Sequence, residues 1–163
     1  MATNLIGSER VFEAICVLLD KNQVQHKRLE HEPTLTSEES AKVRGEALSI
    51  GGKAILMKVD DTFRLFVLSA AKKLSSKKVK EHFKAKKIRF ANKDELFELT
   101  GLVPGSVPPF GKEILPFELY VDEATSRENE RIAFNAGLLT KSIIMSMSDY
   151  LRVAAPNLFD FSE

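Results

Sequence analysis

The sequence predicts an α+β domain in which about seven strands form a mixed sheet together with four to five helices. Three observations lead to this prediction. Amphipathic helical segments alternate with short apolar strands along the chain, and two central strands are separated by a tight turn. A content of 44% hydrophobic and 29% charged residues is typical of a globular protein. With 163 residues, we expect one domain spanning residues 1–163.

The first half of the chain predicts two helices and three strands. Ser8 precedes apolar residues at helical spacing, and Thr36 with a glutamate three residues later forms a capping box. The predicted elements are a helix from Ser8 to about Asn22, a strand over residues 26–30, a helix from Thr36 to about Leu48, and a hairpin of strands 53–59 and 63–69.

The second half predicts short elements around a rigid loop. Residues 101–111 contain three prolines and three glycines, which exclude a helix and favour a shaped loop. The other predicted elements are a basic helix capped by Ser75 or Ser76, a strand over 88–91, a helix over 93–100 capped by Asn92, strands over 117–121, 132–135 and 138–145, a polar loop over 122–130, and a last helix capped by Ser148.

Charge is concentrated in one segment. The whole chain has a net charge of only +1, whereas residues 72–89 carry nine basic residues against Glu81 alone. Lys77, Lys78 and Lys80 lie in the helical part of this segment. They form either a surface for nucleic-acid phosphates or a solvated helix face, and the sequence favours neither.

Several classes of site and location are disfavoured. Cys16 is the only cysteine, so the chain forms no internal disulfide and no cysteine-based zinc site. The three histidines, His26, His31 and His82, lack the spacing of metal ligands, and we expect neither a metal nor another cofactor. No apolar run is long enough to span a membrane, and the first residues lack a secretory signal pattern. We therefore expect a cytoplasmic protein.

The loop around Gly105, Ser106 and Val107 is the most informative segment. Glycines allow backbone amides to approach a ligand, and prolines hold those amides in place, so such a loop can stabilise an oxyanion without side-chain chemistry. The alternative is a tight connection between a helix and a strand. Lys53, which follows two glycines at the start of a strand, either reaches a phosphate or carboxylate or extends into solvent.

Five segments together resemble a known family. They are T-S-E-E-x-A at residues 36–41, GGKAILMK containing Lys53, the lysine-rich helix, ELTGLVPGSVPPFG, and FNAG at residues 134–137. In this order they are similar to the YbaK family, the freestanding relatives of the editing domain inserted in bacterial prolyl-tRNA synthetase. The resemblance covers residues 8–155 and implies a mixed, curved sheet wrapped by helices.

The resemblance implies an aminoacyl-tRNA deacylase that acts in trans. Such an enzyme hydrolyses the ester of a tRNA mischarged with a small amino acid such as Ala, Ser, Thr or Cys. The 2′-hydroxyl of the tRNA is thought to help activate water in related enzymes, which would make a protein nucleophile unnecessary. The implied catalytic residues are Lys53, Gly105, Ser106 and Val107, the implied substrate-binding residues are Pro108, Pro109, Phe110, Asn135 and Gly137, and the implied tRNA-binding residues are Lys77, Lys78 and Lys80.

One segment departs from the family pattern. The alanine-specific subgroup commonly carries a histidine-proline pair where this chain has Asn135 and Ala136, so the resemblance does not extend to alanyl-tRNA specificity. Asn135 either contacts the amino acid or caps the turn. Apolar walls that exclude a larger amino acid are expected from Ile55, Phe66, Val107 and Leu139.

Two other functions remain open at this point. One is a non-catalytic module of the same fold that binds tRNA or another nucleic acid through the basic helix. The other is a subunit that docks on an aminoacyl-tRNA synthetase, for which the sequence shows no exposed apolar patch. A deacylase and a binding module both predict mischarged tRNA as a partner, but only the deacylase releases free amino acid.

Overall fold

The computed structural model describes residues 6–163, so the signal-peptide prediction, which rests on residues 1–5, lies outside the described residues. This part of the chain contains six α-helices and eight strands. They are α1 Glu9–Lys21, β1 His26–Glu30, α2 Ser37–Arg44, β2 Gly52–Val59, β3 Thr62–Ser69, α3 Ser76–Phe83, β4 Ile88–Phe90, α4 Lys93–Thr100, β5 Leu119–Asp122, α5 Glu123–Glu128, β6 Arg131–Leu138, β7 Lys141–Ser146, α6 Met147–Ala154 and β8 Asn157–Phe159. A single 3₁₀ turn, Leu48–Ile50, precedes β2.

The strands form two sheets rather than one. An antiparallel sheet has the order β1-β7-β6, and a mixed sheet has the order β4-β2-β3-β5-β8. Within the mixed sheet, β2 pairs antiparallel with β3 and β4, whereas β5 pairs parallel with β3 and β8. A bridge between Gly51 and Ala133 joins the two sheets just before β2 begins. The α+β class with a mixed sheet is confirmed, with one more strand and at least one more helix than predicted.

The hydrophobic core is divided by the mixed sheet. Alternate residues of β3 face opposite sides, as the period of two of a strand requires. Leu65 belongs to the larger cluster, which includes α1, β6 and α6, and Phe66 belongs to a smaller cluster beneath α3. Both side chains are fully buried. The lack of polar alternation in β3 follows from this burial on both faces.

Helix starts follow the local sequence closely. The Ser8 hydroxyl accepts a hydrogen bond from the Val11 amide at 3.2 Å, and Thr36 forms the predicted capping box with Glu39. Ser75 caps α3, and Asn92 caps α4 with a second capping box. These four predictions are confirmed because each cap depends on contacts within three residues.

Three elements near the C-terminus differ from prediction. The stretch predicted as a polar loop contains α5, capped by the buried Asp122, whose six residues are too few to show an apolar period. The last helix is capped by Ser146 and not by Ser148, since the Ser146 hydroxyl accepts from the Asp149 amide at 3.1 Å. Strand β8 was missed because its pairing with β5 is distant in sequence.

Gly137 lies at the β-bulge of β6 and packs closely against α1. Its φ is +85°, and an added Cβ would lie 2.8 Å from Val11 Cγ1 and 3.2 Å from the Phe12 amide nitrogen. We therefore expect Gly137→Ala to lower the free energy of unfolding by about 2–4 kcal/mol. Urea denaturation followed by circular dichroism measures this loss.

Gly101→Ala is the matched control for this prediction. Gly101 has a similar φ of +74°, but an added Cβ would meet nothing within 4 Å. The expected loss is therefore the backbone strain alone, about 1 kcal/mol. Equal losses in the two variants would contradict the assignment of the larger effect to the contact with α1.

Candidate active site

A cleft opens where α2, the start of β2, the glycine-proline loop and β6 meet. Its cavity has a volume of about 190 Å³. Thr34, Ser40, Gly51, Val107 and Asn135 form its buried surface, whereas Leu35, Thr36 and Gly105 are exposed at its rim. The remaining lining residues are Ser37, Arg44, Gly52, Lys53, Ala54 and Ala70.

Lys53 lies in this cleft at the second residue of β2. Burial lowers the pKa of its ammonium group from the ordinary value of 10.5, and the positive charge of Lys73 acts in the same direction. The carboxylate of Glu38, on the first turn of α2, opposes this shift. Lys53 therefore places a partly desolvated ammonium group in the cleft, and desolvation strengthens the attraction of its charge to an anionic or polar ligand group.

The glycine-proline loop approaches the cleft through a tight turn. The Ser106 amide donates to the Val103 carbonyl at 3.0 Å, and Gly105 has a φ of +88°, so Pro104 and Gly105 occupy the central positions of a type II turn. Asn135 Nδ2 donates to the Gly105 carbonyl at 2.8 Å. The Gly137 amide donates to the Ser106 carbonyl at 3.0 Å, so β6 holds the loop at two consecutive residues.

Three of the four predicted catalytic residues line the cleft. Lys53, Gly105 and Val107 lie there together. Within residues 6–163, the amides of Gly105 and Val107 donate no hydrogen bond to another group of the protein. Ser106 is fully buried outside the cleft lining, and its hydroxyl donates to the Val103 carbonyl at 2.8 Å. The structure thus gives Ser106 a role in the turn.

Most of the predicted substrate-binding residues lie elsewhere. Among the described residues that line the cleft, Asn135 is present and Pro108, Pro109, Phe110 and Gly137 are absent. Phe110 packs edge-on against Phe134 and Tyr150, with ring centroids 5.6 Å apart in each pair. The Pro109 carbonyl accepts from the Tyr150 hydroxyl at 2.6 Å. After Val107 the loop turns into the core, so neighbours in sequence do not share the cleft.

The expected apolar walls are also mostly absent from the cleft. Val107 contributes to its surface, but Ile55 and Phe66 pack in the cluster beneath α3. Leu139 lies behind the loop, where its Cδ2 would be 3.2 Å from a Cβ added at Gly105. The buried end of the cleft is therefore largely polar.

Sequence reasoning missed Arg44, at the last residue of α2. Its Nε donates to the Ser142 hydroxyl at 2.9 Å, and its Nη2 donates to Asn135 Oδ1 at 3.0 Å. Burial lowers the pKa of this guanidinium to about 10. The only sequence signal was its position four residues after Ser40, which places both side chains on one helix face.

The lysines of the basic helix have different environments. Lys77 and Lys80 are exposed on α3. Lys78 Nζ lies 3.0 Å from Asp160 Oδ2 and donates to the Ser162 carbonyl at 2.7 Å, so it attaches the C-terminal segment to α3. The Lys78 ammonium is thus engaged with the C-terminal segment, and its role in tRNA binding stays a prediction.

The described residues contain neither a cluster of metal-ligating side chains nor a helix that could span a membrane. Within residues 6–163, no three His, Cys, Asp or Glu side chains cluster as a metal site would require. The helices of this same part of the chain are too short or too polar to cross a bilayer.

Comparison with known proteins assigns the family. The family model of the aminoacyl-tRNA editing domain matches residues 31–153, which include every residue that lines the cleft. The chain belongs to this family. The match confirms the resemblance seen in the sequence. Lys53, Gly105 and Asn135 all lie within the matched residues.

Individual relatives agree with this assignment. A multifunctional Ser/Thr-tRNA deacylase, ProXp-y of Escherichia coli strain K12, is 32% identical over 98% of this chain and 97% of its own. A proline–tRNA ligase of Shouchella clausii is 34% identical over 62% of this chain and 17% of its own. A crystal structure of a candidate trans-editing enzyme for prolyl-tRNA synthetase superposes with a TM-score of 0.80, at 21% identity over 96% of this chain and 99% of its own. The last comparison supports the fold.

Proposed function

We propose that this protein is an aminoacyl-tRNA deacylase that acts in trans and hydrolyses the ester of a mischarged tRNA. The observation that carries the proposal is the cleft, which brings Lys53 together with Gly105 and Val107, whose amides donate no hydrogen bond within residues 6–163. A charged donor and two rigid amides are the groups needed to bind an ester and stabilise the oxyanion that forms on it. Membership of the editing-domain family supports the same reaction.

The chemical step is a direct attack by water. The water oxygen adds to the ester carbonyl carbon, the bond to the ribose oxygen of the terminal adenosine breaks, and that oxygen receives a proton from the water. The products are a free amino acid and an uncharged tRNA. The residues lining the cleft include hydroxyls but no His, Asp, Glu or Cys within the described chain, so a serine–histidine pair is not available there. The tRNA 2′-hydroxyl is the group proposed to orient the water.

The proposed substrates carry small hydroxylated amino acids, serine and threonine. The cleft presents the buried polar side chains of Thr34, Ser40 and Asn135 and the partly buried guanidinium of Arg44. A site that hydrogen-bonds a substrate hydroxyl rejects the analogue without it far more strongly than an apolar pocket rejects one methylene. The relative ProXp-y is named as a Ser/Thr-tRNA deacylase, which supports this choice.

The test is release of free amino acid from one tRNA body charged in turn with serine, threonine, alanine and proline. We expect release of serine and threonine at rates well above the spontaneous hydrolysis of each ester. Proline, the amino acid for which the related ligases are named, is expected to remain attached. Binding of the charged tRNAs without release of any amino acid would overturn the proposal in favour of the non-catalytic module.

Lys77 and Lys80 are proposed to bind the tRNA backbone. The charge of Lys73 acts on Lys53 in the cleft, and α3 begins three residues after Lys73. The basic segment therefore extends from the cleft into α3. Replacing Lys77 and Lys80 with glutamine should weaken tRNA binding and reduce its dependence on log salt by up to about two units of slope. Single-turnover rates at saturating enzyme should change little.

The control for this prediction is glutamine at two exposed lysines outside the basic segment, Lys21 and Lys27. Affinity is measured for both double variants across a salt titration. A Lys77/Lys80 variant whose salt dependence equals that of the control would show that α3 presents only a solvated face.

A further inference from the structure

The guanidinium of Arg44 lines the cleft, is partly buried and is held in one orientation. Its Nε and Nη2 donate to Ser142 and Asn135, of which Ser142 is fully buried and Asn135 is 8% exposed. Its Nη1 would lie 3.7 Å from a Cβ added at Gly51, on the lining of the cleft. Two of the five donors of the guanidinium are thus used to position it, and Nη1 lies near Gly51 of the cleft lining.

Within residues 6–163, Arg44 has no carboxylate within salt-bridge distance, and its Nη1 donates to no group of the protein. Nη1 is nevertheless reachable, because the only fully enclosed side-chain nitrogen or oxygen without a partner in this part of the chain is Arg64 Nε. A desolvated cation without an acceptor costs free energy. A ligand that enters the cleft can therefore supply an acceptor to Nη1.

The chemistry of the proposed substrate limits which atom this acceptor is. The α-amino group of an aminoacyl ester is a cation and is repelled by a guanidinium. The terminal phosphate is strongly hydrated, and Lys53, with Lys73 beside it, already provides positive charge for it. The remaining candidate is the amino acid side chain, because the hydroxyl of serine or threonine can accept a hydrogen bond from Nη1.

We propose that Arg44 is the residue that determines amino acid specificity, by donating a hydrogen bond from Nη1 to the side-chain hydroxyl of the bound serine or threonine. This inference rests on the proposed deacylase function. It assigns two roles within one cleft. Arg44 recognises the side chain of the bound amino acid, whereas Lys53 and the loop amides act on the ester that every substrate shares.

Asn135 hydrogen-bonds both to Arg44 and to the glycine-proline loop. Its Oδ1 accepts from Arg44 and from the Ser142 hydroxyl, and its Nδ2 donates to the Gly105 carbonyl. These partners require one orientation of the amide, because a reversed amide would place Nδ2 against the donors of Arg44. Asn135 is therefore a positioning residue that sets Arg44 and the catalytic loop relative to each other.

The experiment compares kcat/KM for seryl- and alanyl-tRNA on the same tRNA body in wild type and in Arg44→Met. Loss of a charge-assisted hydrogen bond should lower kcat/KM for the seryl ester about tenfold, while the alanyl ester, which lacks the hydroxyl, changes less than about twofold. Lys42→Met is the matched control, since Lys42 is exposed on the same helix. It should leave both values unchanged.

The outcomes separate this inference from the function on which it rests. An equal loss for both esters would overturn it, because Arg44 would then bind a part common to all substrates, such as the ester carbonyl. An unchanged serine preference, or a wild type that prefers alanine, would also overturn it. If Arg44→Met does not fold, Arg44→Lys carries the test, because lysine cannot make the Ser142 and Asn135 bonds and still donate as Nη1 does. Wild type that releases no amino acid from any ester would refute the deacylase function itself.

Discussion

Gly105→Ala is expected to lower kcat for deacylation by about 10²-fold or more. Gly105 has a φ of +88°, so alanine strains the turn, and its Cβ would lie 3.2 Å from Leu139 Cδ2. Relief of the backbone strain or of the close contact with Leu139 moves the amides of Gly105 and Val107, which are proposed to donate to the oxyanion. Misalignment of one oxyanion donor costs about 10²–10³ in rate. The measurement is the single-turnover release of serine from seryl-tRNA.

Stability is measured in the same variant to separate catalysis from folding. The turn tolerates alanine at a cost of about 1–3 kcal/mol, so circular dichroism should show a folded protein. Asn135 still holds the Gly105 carbonyl from outside the turn. A folded Gly105→Ala variant with wild-type kcat would contradict the proposed role of the backbone amides.

Ser106→Ala is the matched control at the next residue. Within residues 6–163, the Ser106 hydroxyl bonds to the Val103 amide and carbonyl of the turn alone, and Ser106 does not line the cleft. Its loss should reduce stability by about 1–2 kcal/mol and leave kcat nearly unchanged. If Ser106→Ala abolished turnover while Gly105→Ala retained it, a covalent serine mechanism would replace the one proposed here.

Lys53→Ala is expected to lower kcat/KM tenfold or more without unfolding the protein. The ammonium lies partly desolvated in the cleft, where a charge interacts with the phosphate or ester end of the substrate by about 1 kcal/mol or more. Lys53→Arg retains the charge and should recover part of the lost kcat/KM. Full activity in Lys53→Ala would remove this residue from the mechanism.

The pH dependence provides a second measurement of Lys53. Since burial lowers the pKa of its ammonium below the ordinary 10.5, the charge is lost at a lower pH than for a solvated lysine. After correction for spontaneous ester hydrolysis, kcat/KM should decline as pH rises through that pKa. Lys53→Arg should move the decline to higher pH, because a guanidinium keeps its proton.

Local signals in the sequence predicted much of the secondary structure. The caps at Ser8, Thr36, Ser75 and Asn92 begin the four helices for which they were predicted. The hairpin of β2 and β3 also matches, because its turn lies between two continuous apolar strands. Each of these features depends on residues within a few positions of one another. Asp122 and Ser146 were missed as caps because α5 and α6 follow strands without a separating loop.

The candidate site was predicted only in part, and the reason is its long-range construction. Lys53, Gly105, Val107 and Asn135 were identified by motif, and the structure brings them to one cleft. Pro108, Pro109 and Phe110 were implied by the family resemblance, but the fold buries them outside the lining of the cleft. Contiguity along an irregular loop does not determine which residues face a cavity.

The sequence by itself determined the editing-domain family, the class of fold and the motif residues of the cleft. The tertiary structure decided which side chains complete that cleft. Arg44 is held by Ser142 and Asn135, which are 98 and 91 residues distant along the chain, and Asn135 reaches back 30 residues to Gly105. Caps and turns are stabilised by contacts within a few residues, so the local sequence is enough to predict them. A buried polar network is stabilised only when the packed sheets bring all its members within hydrogen-bond distance.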